Sequence, residues 1–138
     1  MTVRKAHGFA LIDMIFVCGV IGILVSIAMP SLFTAKQSAA AASAIGSMRA
    51  VNSAELTYAL TCGNGFYAPN LTTLGTAPAG SREPFISADL GGADVVNKSS
   101  YTIQLSATPY PGAPDACNGL GPGLAGQGFK AAADPGEP

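Results

Sequence analysis

The chain has 138 residues, of which 49% are hydrophobic and only 11% charged, with a formal net charge of −1. That is the length of one domain, and it is far less charged than the about 25% usual for proteins that face water on all sides. The Lys and Arg residues beyond position 9 (Lys36, Arg49, Arg82, Lys98 and Lys130) are scattered, so no basic stripe speaks for direct nucleic-acid binding.

The apolar excess is concentrated near the N-terminus. From Phe9 to Met29 the only ionisable side chains are Asp13 and the thiol of Cys18. At about 1.5 Å per residue this stretch makes a helix roughly 30 Å long, the thickness of a bilayer's hydrocarbon core. Arg4, Lys5 and His7 precede it and no acid does, so the positive-inside rule leaves the N-terminus in the cytoplasm and the remainder outside. The run closes with "SIAMP" (26–30). Met29 and Pro30 make a poor signal-peptidase site, so the segment is expected to stay on the chain.

After Pro30 the sequence keeps helical character, rich in Ala, Leu, Met, Gln and Glu and without a further proline until Pro69. Pro30 cannot donate to the carbonyl of residue 26, so a kink is expected there. Ile45, Met48, Val51 or Asn52, Glu55 and Tyr58 fall at i, i+3, i+4 spacing and predict one covered face, with Lys36, Gln37, Ser43, Arg49 and Ser53 on polar positions. "CGNG" (62–65) supplies the residues that end a helix.

From Phe66 onward Gly, Pro, Ser and Thr dominate and most of the chain reads as loop. "APNLTTLG" (68–75) predicts one helical turn with Asn70 as its N-cap; Asn70-Leu71-Thr72 also fits the short and frequent N-glycosylation sequon. In "SYTIQLSA" (100–107), Tyr101, Ile103, Leu105 and Ala107 alternate with polar residues, which predicts a half-buried strand. "GFKAAAD" (128–134) is its expected partner, with Phe129, Ala131 and Ala133 inward. A two-stranded sheet is marginal alone, so it is expected to pack on the covered face of the helix.

Cys18 reads as a small hydrophobe within the apolar run. Cys62 and Cys117 fall in the extracytoplasmic part, where oxidising conditions permit a disulfide, and are expected to pair; two free thiols or pairing with another subunit are the alternatives. A bridge closing so long a loop stabilises by roughly 4 kcal/mol on the chain-entropy view.

Asp13 is the anomaly. A carboxylate at the centre of a membrane helix costs about 2.5–3.5 kcal/mol on insertion scales and is a functional candidate by default. Near the boundary it can instead reach the headgroups and favour the positive end of the helix dipole. Its surroundings alter the weighing. "RKAHG" followed by "FALIDMIFVCGVIGILVSIAMP" resembles the N-terminus of type IV prepilins and pseudopilins: a short basic leader ending in Gly, then Phe, an acid at the fifth mature position, an apolar helix and a Pro near its end. The likeness covers about the first 30 residues, and its specificity lies in the mutual spacing of these features.

The resemblance implies an α+β fold, a long N-terminal helix packed on a small antiparallel sheet. The expected organisation is a leader at 1–8, a transmembrane and filament-core helix at 9–30, its amphipathic continuation at 31–62, and a loop-rich head at 63–138. It further implies cleavage by a prepilin peptidase between Gly8 and Phe9 and N-methylation of Phe9. Loss of Arg4 and Lys5 leaves the mature chain with a balance of −3. The new α-amino group, with a reference pKa of about 8, would give Asp13 a partner. In the family's assembly an incoming Phe9 ammonium meets the acid of a neighbour, each cancelling what the other costs in an apolar bundle. Asp13 also stands four residues from Phe9 and can pair within its own chain. Asp13 stands where the family usually carries Glu, one methylene longer.

The functional expectation is a structural subunit of a type IV pilus-like filament. Its implied partners are copies of itself in a helical homo-oligomer, the prepilin peptidase, the inner-membrane assembly machinery and, before assembly, the membrane. It would lie in the inner membrane first and in an extracellular filament afterwards. Gly19, Gly22 and Ala28 would allow close helix approach, although membrane helices carry such residues in any case. Two other readings stand beside this one, a pseudopilin of a type II secretion system and a signal-anchored extracytoplasmic binding domain. The second leaves Gly8-Phe9 and Asp13 as coincidence. An enzyme is not expected: His7, the only histidine, falls in the leader, and no nucleophile or HExxH arrangement is present. No cofactor and no metal is expected, since Asp89, Asp94, Asp115 and Asp134 match no calcium-loop spacing.

Overall fold

A computed structural model describes residues 7–136, with side chains from residue 10. The leader residues 1–6 and the last two residues lie outside it. The elements in chain order are α1 (His7–Thr61), α2 (Leu71–Leu74), α3 (Ala88–Gly91), β1 (Val95–Lys98), β2 (Tyr101–Pro109) and β3 (Gly126–Pro135). The layout is α+β and pilin-like, a long apolar N-terminal helix and a small antiparallel sheet that packs on its later turns.

Pro30 lies inside α1 and does not end it. Next to the backbone bond that proline cannot make, the Ser31 hydroxyl donates to the Ala28 carbonyl (2.9 Å) and the Thr34 hydroxyl to the Pro30 carbonyl (3.1 Å). The helix stops where Asn64 (φ 52) and Gly65 (φ 90) turn into the left-handed region, and the Gly65 N–H reaches back to the Ala59 carbonyl at 2.8 Å.

The chain divides into two compact units, Met1–Ala39 and Ala40–Pro138. In the first, every side chain from residue 10 to 39 is exposed. The second has its own core, formed by Val51, Ala54 and Tyr58 of α1, Leu71 and Leu74 of α2, Leu90 of α3, and Ile103 and Leu105 of β2, with Cys62, Ala68, Ile86 and Ala116 from the connections. Burial of α1 therefore starts at about Ala40, later than the expected amphipathic segment.

The covered line on α1 keeps Val51, Glu55 and Tyr58 of the expected face, with Met48 packed against it, and departs from it at Ile45. It runs Ala44, Ser47, Val51, Ala54, Glu55, Tyr58 and Ala59, whereas Ile45 is 55% exposed and Asn52 is exposed. Small side chains at 44 and 47 allow close approach, so size at the contact outweighs hydrophobicity there.

The sheet has three strands in the order β1-β2-β3, all antiparallel, not the expected two. Ile103 pairs with Ala133 and Leu105 with Ala131, and Val95 and Val96 pair with Gln104 and Ile103. The missed strand β1 joins β2 through Ser99 (φ 53) and Ser100 (φ 64). Two positive φ values make the two-residue hairpin turn usually signalled by Asn-Gly; serines there conceal it. The Ser99 hydroxyl lies 3.0 Å from that of Ser43 on α1, and Lys98 of β1 pairs with Asp89 of α3.

The turn at 71–74 forms as expected. Asn70 takes an extended backbone and its Oδ1 accepts from the Thr73 N–H at 3.0 Å, and also from the Thr72 and Thr73 hydroxyls. Its C-terminal Gly75 lies so close to Gly91 of α3 that a Cβ at either position meets the other's backbone. Leu74→Ala is expected to destabilise the head by about 2–5 kcal/mol, while Ile45→Ala changes it by less than about 0.5 kcal/mol. Urea unfolding of the two variants, followed by tyrosine near-UV dichroism, checks that Leu74 belongs to the core of the head and that Ile45 of α1 does not.

Candidate functional site

The features singled out in the sequence fall in two separate places, the exposed apolar half of α1 and the interior of the head. The first is the better candidate for an assembly surface. Its most apolar 18-residue window has a mean hydropathy of 2.6 and none of it is buried. Ile12 and Met14, on either side of Asp13, are each 70% exposed, and Phe16, Ile23, Ile27 and Leu32 are exposed to a similar degree. Among the described residues no side chain bonds to Asp13, and the one described salt bridge joins Lys98 to Asp89. A helix this long and apolar fits membrane anchoring or a signal, because water is a poor solvent for so much hydrocarbon.

Gly8 and Phe9 belong to the α1 backbone, but their side-chain surroundings, and with them the expected processing and methylation site, lie outside the described residues. Phe9 and Asp13 are one helical turn apart, about 6 Å along the axis. Gly19 and Gly22 meet nothing within 4 Å of where a Cβ would sit, and Cys18 is exposed and free.

Within the head, Cys62 and Cys117 form a disulfide with Cα atoms 4.9 Å apart. The Cys117 N–H donates to the Cys62 carbonyl at 3.2 Å, and the Cys117 carbonyl accepts from Ala79 N–H at 3.1 Å. The bridge thus ties the end of α1 to the loop before β3 and fits an oxidising, extracytoplasmic compartment. The four aspartates considered for calcium are dispersed. Asp89 pairs with Lys98, which holds its carboxyl below the usual range. Asp94 accepts from the Thr72 hydroxyl at 2.6 Å, Asp134 from Gln104 at 3.2 Å, and Asp115 offers its backbone carbonyl to Asn64. No group of three metal-binding side chains occurs among the described residues.

One site lies on the face expected to be covered, but its chemistry was not foreseen. Glu55 is 0% exposed, as is Tyr58 one turn later. Glu55 Oε2 accepts from the Ala68 N–H at 2.9 Å, while Oε1 and the Tyr58 hydroxyl have no described partner. Burial pushes the Glu55 carboxyl up to about 7, against the opposing pull of the Ala68 bond. Burial, and then the charge of Glu55, push Tyr58 up to about 12. The sequence signal was an acid on the covered line of the helix three residues before a tyrosine.

No family model, curated protein or solved structure matches the chain. Since Asp13 lies in a unit apart from the head's core, Asp13→Leu is expected to leave the head's unfolding free energy within about 0.5 kcal/mol of the parent's. Urea unfolding of the full chain in detergent checks this, and a larger change would make Asp13 a structural residue of the head.

Proposed function

We propose that this chain is a structural subunit of a type IV pilus-like extracellular filament, processed between Gly8 and Phe9 and polymerised through its N-terminal helix. The observation that carries the reading is the pairing, on one helix, of an exposed apolar half bearing a single acid with a second half that is the core of a small disulfide-bonded head. An apolar surface of that extent has to be covered, by lipid or by other copies. The acid explains why copies are favoured over lipid as the final state. Lipid offers Asp13 no partner, whereas the ammonium at a processed Phe9 offers a charge of the opposite sign. In this reading Phe9 and Asp13 set the axial register, and Gly19 and Gly22 leave room for a neighbouring helix.

The test is intact mass and N-terminal sequencing of protein recovered from sheared cell-surface material. A chain that starts at N-methyl-Phe9 in the filament fraction supports the reading; one that starts at Met1 and stays in the membrane leaves the signal-anchored domain in its place. Asp13→Ala is expected to be processed normally and to lower the amount in the sheared fraction at least tenfold, read by immunoblot of sheared and membrane fractions. Undiminished assembly of that variant would remove Asp13 from the mechanism.

A further inference from the structure

Three consecutive residues beyond the end of α1 are tied to three different elements. Tyr67 exchanges both backbone bonds with Gly126 at the start of β3, at 2.8 and 3.0 Å; the Pro69 carbonyl accepts from the Ala107 N–H of β2 at 3.1 Å. Between them, the Ala68 N–H donates to Glu55 of α1. The 67–69 segment is therefore a joint between helix and sheet, and its bond to the helix ends on an ionisable group with no exposed surface.

That group is half satisfied. Glu55 Oε1 and the Tyr58 hydroxyl, one turn apart on the same face of α1, are the buried side-chain polar atoms without partners among the described residues. A neutral carboxyl leaves Oε1 buried without a charge to satisfy. An ionised carboxyl brings a full charge into a space where the Ala68 N–H is its only described donor. The other titratable groups on the elements packed here, Arg49 of α1, Tyr67 of the joint, Asp89 of α3, Tyr101 of β2, and Lys130 and Asp134 of β3, are exposed or half-buried at the surface. Tyr58 is the one buried with Glu55 on the same side of α1, and the charge of Glu55 opposes its ionisation.

We propose that Glu55 is a proton-operated latch: while its carboxyl is neutral the 67–69 joint stays closed on α1, and its ionisation, although it strengthens the Ala68 bond, favours opening of the joint because water can then reach the buried, unpartnered Oε1. The direction follows from linkage. The closed form keeps its proton up to a pH of about 7, whereas a solvated glutamate gives it up near 4.5. Opening is least favourable below the lower value, grows as pH rises between the two, and levels off above the upper one, a change of roughly two orders of magnitude in the opening constant.

Hydrogen exchange of the full chain in detergent, with the disulfide intact, tests the latch between pH 5 and 8.5. Rates are corrected for the intrinsic pH dependence of amide exchange. The expected result is that protection of the 66–70 amides falls about a hundredfold across this range while the Ile103 and Leu105 amides hold theirs, and that Glu55→Gln makes the 66–70 protection independent of pH. The carboxyl carbon of Glu55 in the parent chain, followed by NMR, should titrate near 7, a readout that needs no variant. Unchanged 66–70 protection in the parent, parallel loss at 103–105, a Glu55→Gln protein with the parent's pH dependence, or a carboxyl midpoint near 4.5 would each overturn the proposal.

Discussion

The head is built on contact between one line of α1, from Ala44 to Ala59, and the apolar sides of α2 and β2. That contact has to be made by a helix whose earlier turns are apolar on every side, so hydrophobicity alone cannot select the docking face. Side-chain size does. Ala44, Ser47, Ala54 and Ala59 are small and lie on the covered line, whereas Ile45, Leu56 and Leu60 are large and exposed. Close approach over small residues gathers many weak dispersion contacts around the few large side chains, Val51 and Tyr58, that fill the centre.

Given that line, the other features of the head act as restraints upon it. Four-residue helices and a four-residue strand have little stability by themselves, and each is fastened by something other than its own length. α2 has the Asn70 cap, α3 meets α2 through two glycines and meets β1 through Lys98 and Asp89, and the loop before β3 is held by the disulfide. The 67–69 segment then joins helix to sheet, with three backbone bonds to the strands and one from the Ala68 N–H to the Glu55 side chain. Such an arrangement suits a chain too short to bury a large core.

The two carboxylates on α1 present opposite solutions to one electrostatic problem. Asp13 lies in an apolar but exposed stretch, and in the proposed filament its charge is met by an ammonium that processing creates. Glu55 lies in an apolar and enclosed place, and with no cation beside it among the described residues the uncharged state persists up to a pH of about 7. The first arrangement ties an acid to a partner, and the second ties it to the proton concentration of the surroundings.

Local patterning determined a good deal by itself. The 3.6-residue character of 31–60, the alternation of 101–107 and the Asn70 cap are set by neighbours in sequence, so they could be read before any packing was known, and the pairing of Cys62 with Cys117 followed from compartment and count. The apolar run and the single acid were likewise plain in the sequence, because charge and hydropathy are local properties. Tertiary structure alone decided the rest. Whether Ile45 or Ala44 faces the core depends on what the sheet can approach. β1 exists because a two-serine turn returns the chain beside β2, a geometry that serine permits without announcing. Spacing already put Glu55 on the covered face, but that its carboxyl takes a single described bond, from Ala68, was decided by the folded chain. A side chain's burial is a property of the chain folded around it, and the residues that enclose this one come from parts of the sequence that bear no local sign of doing so.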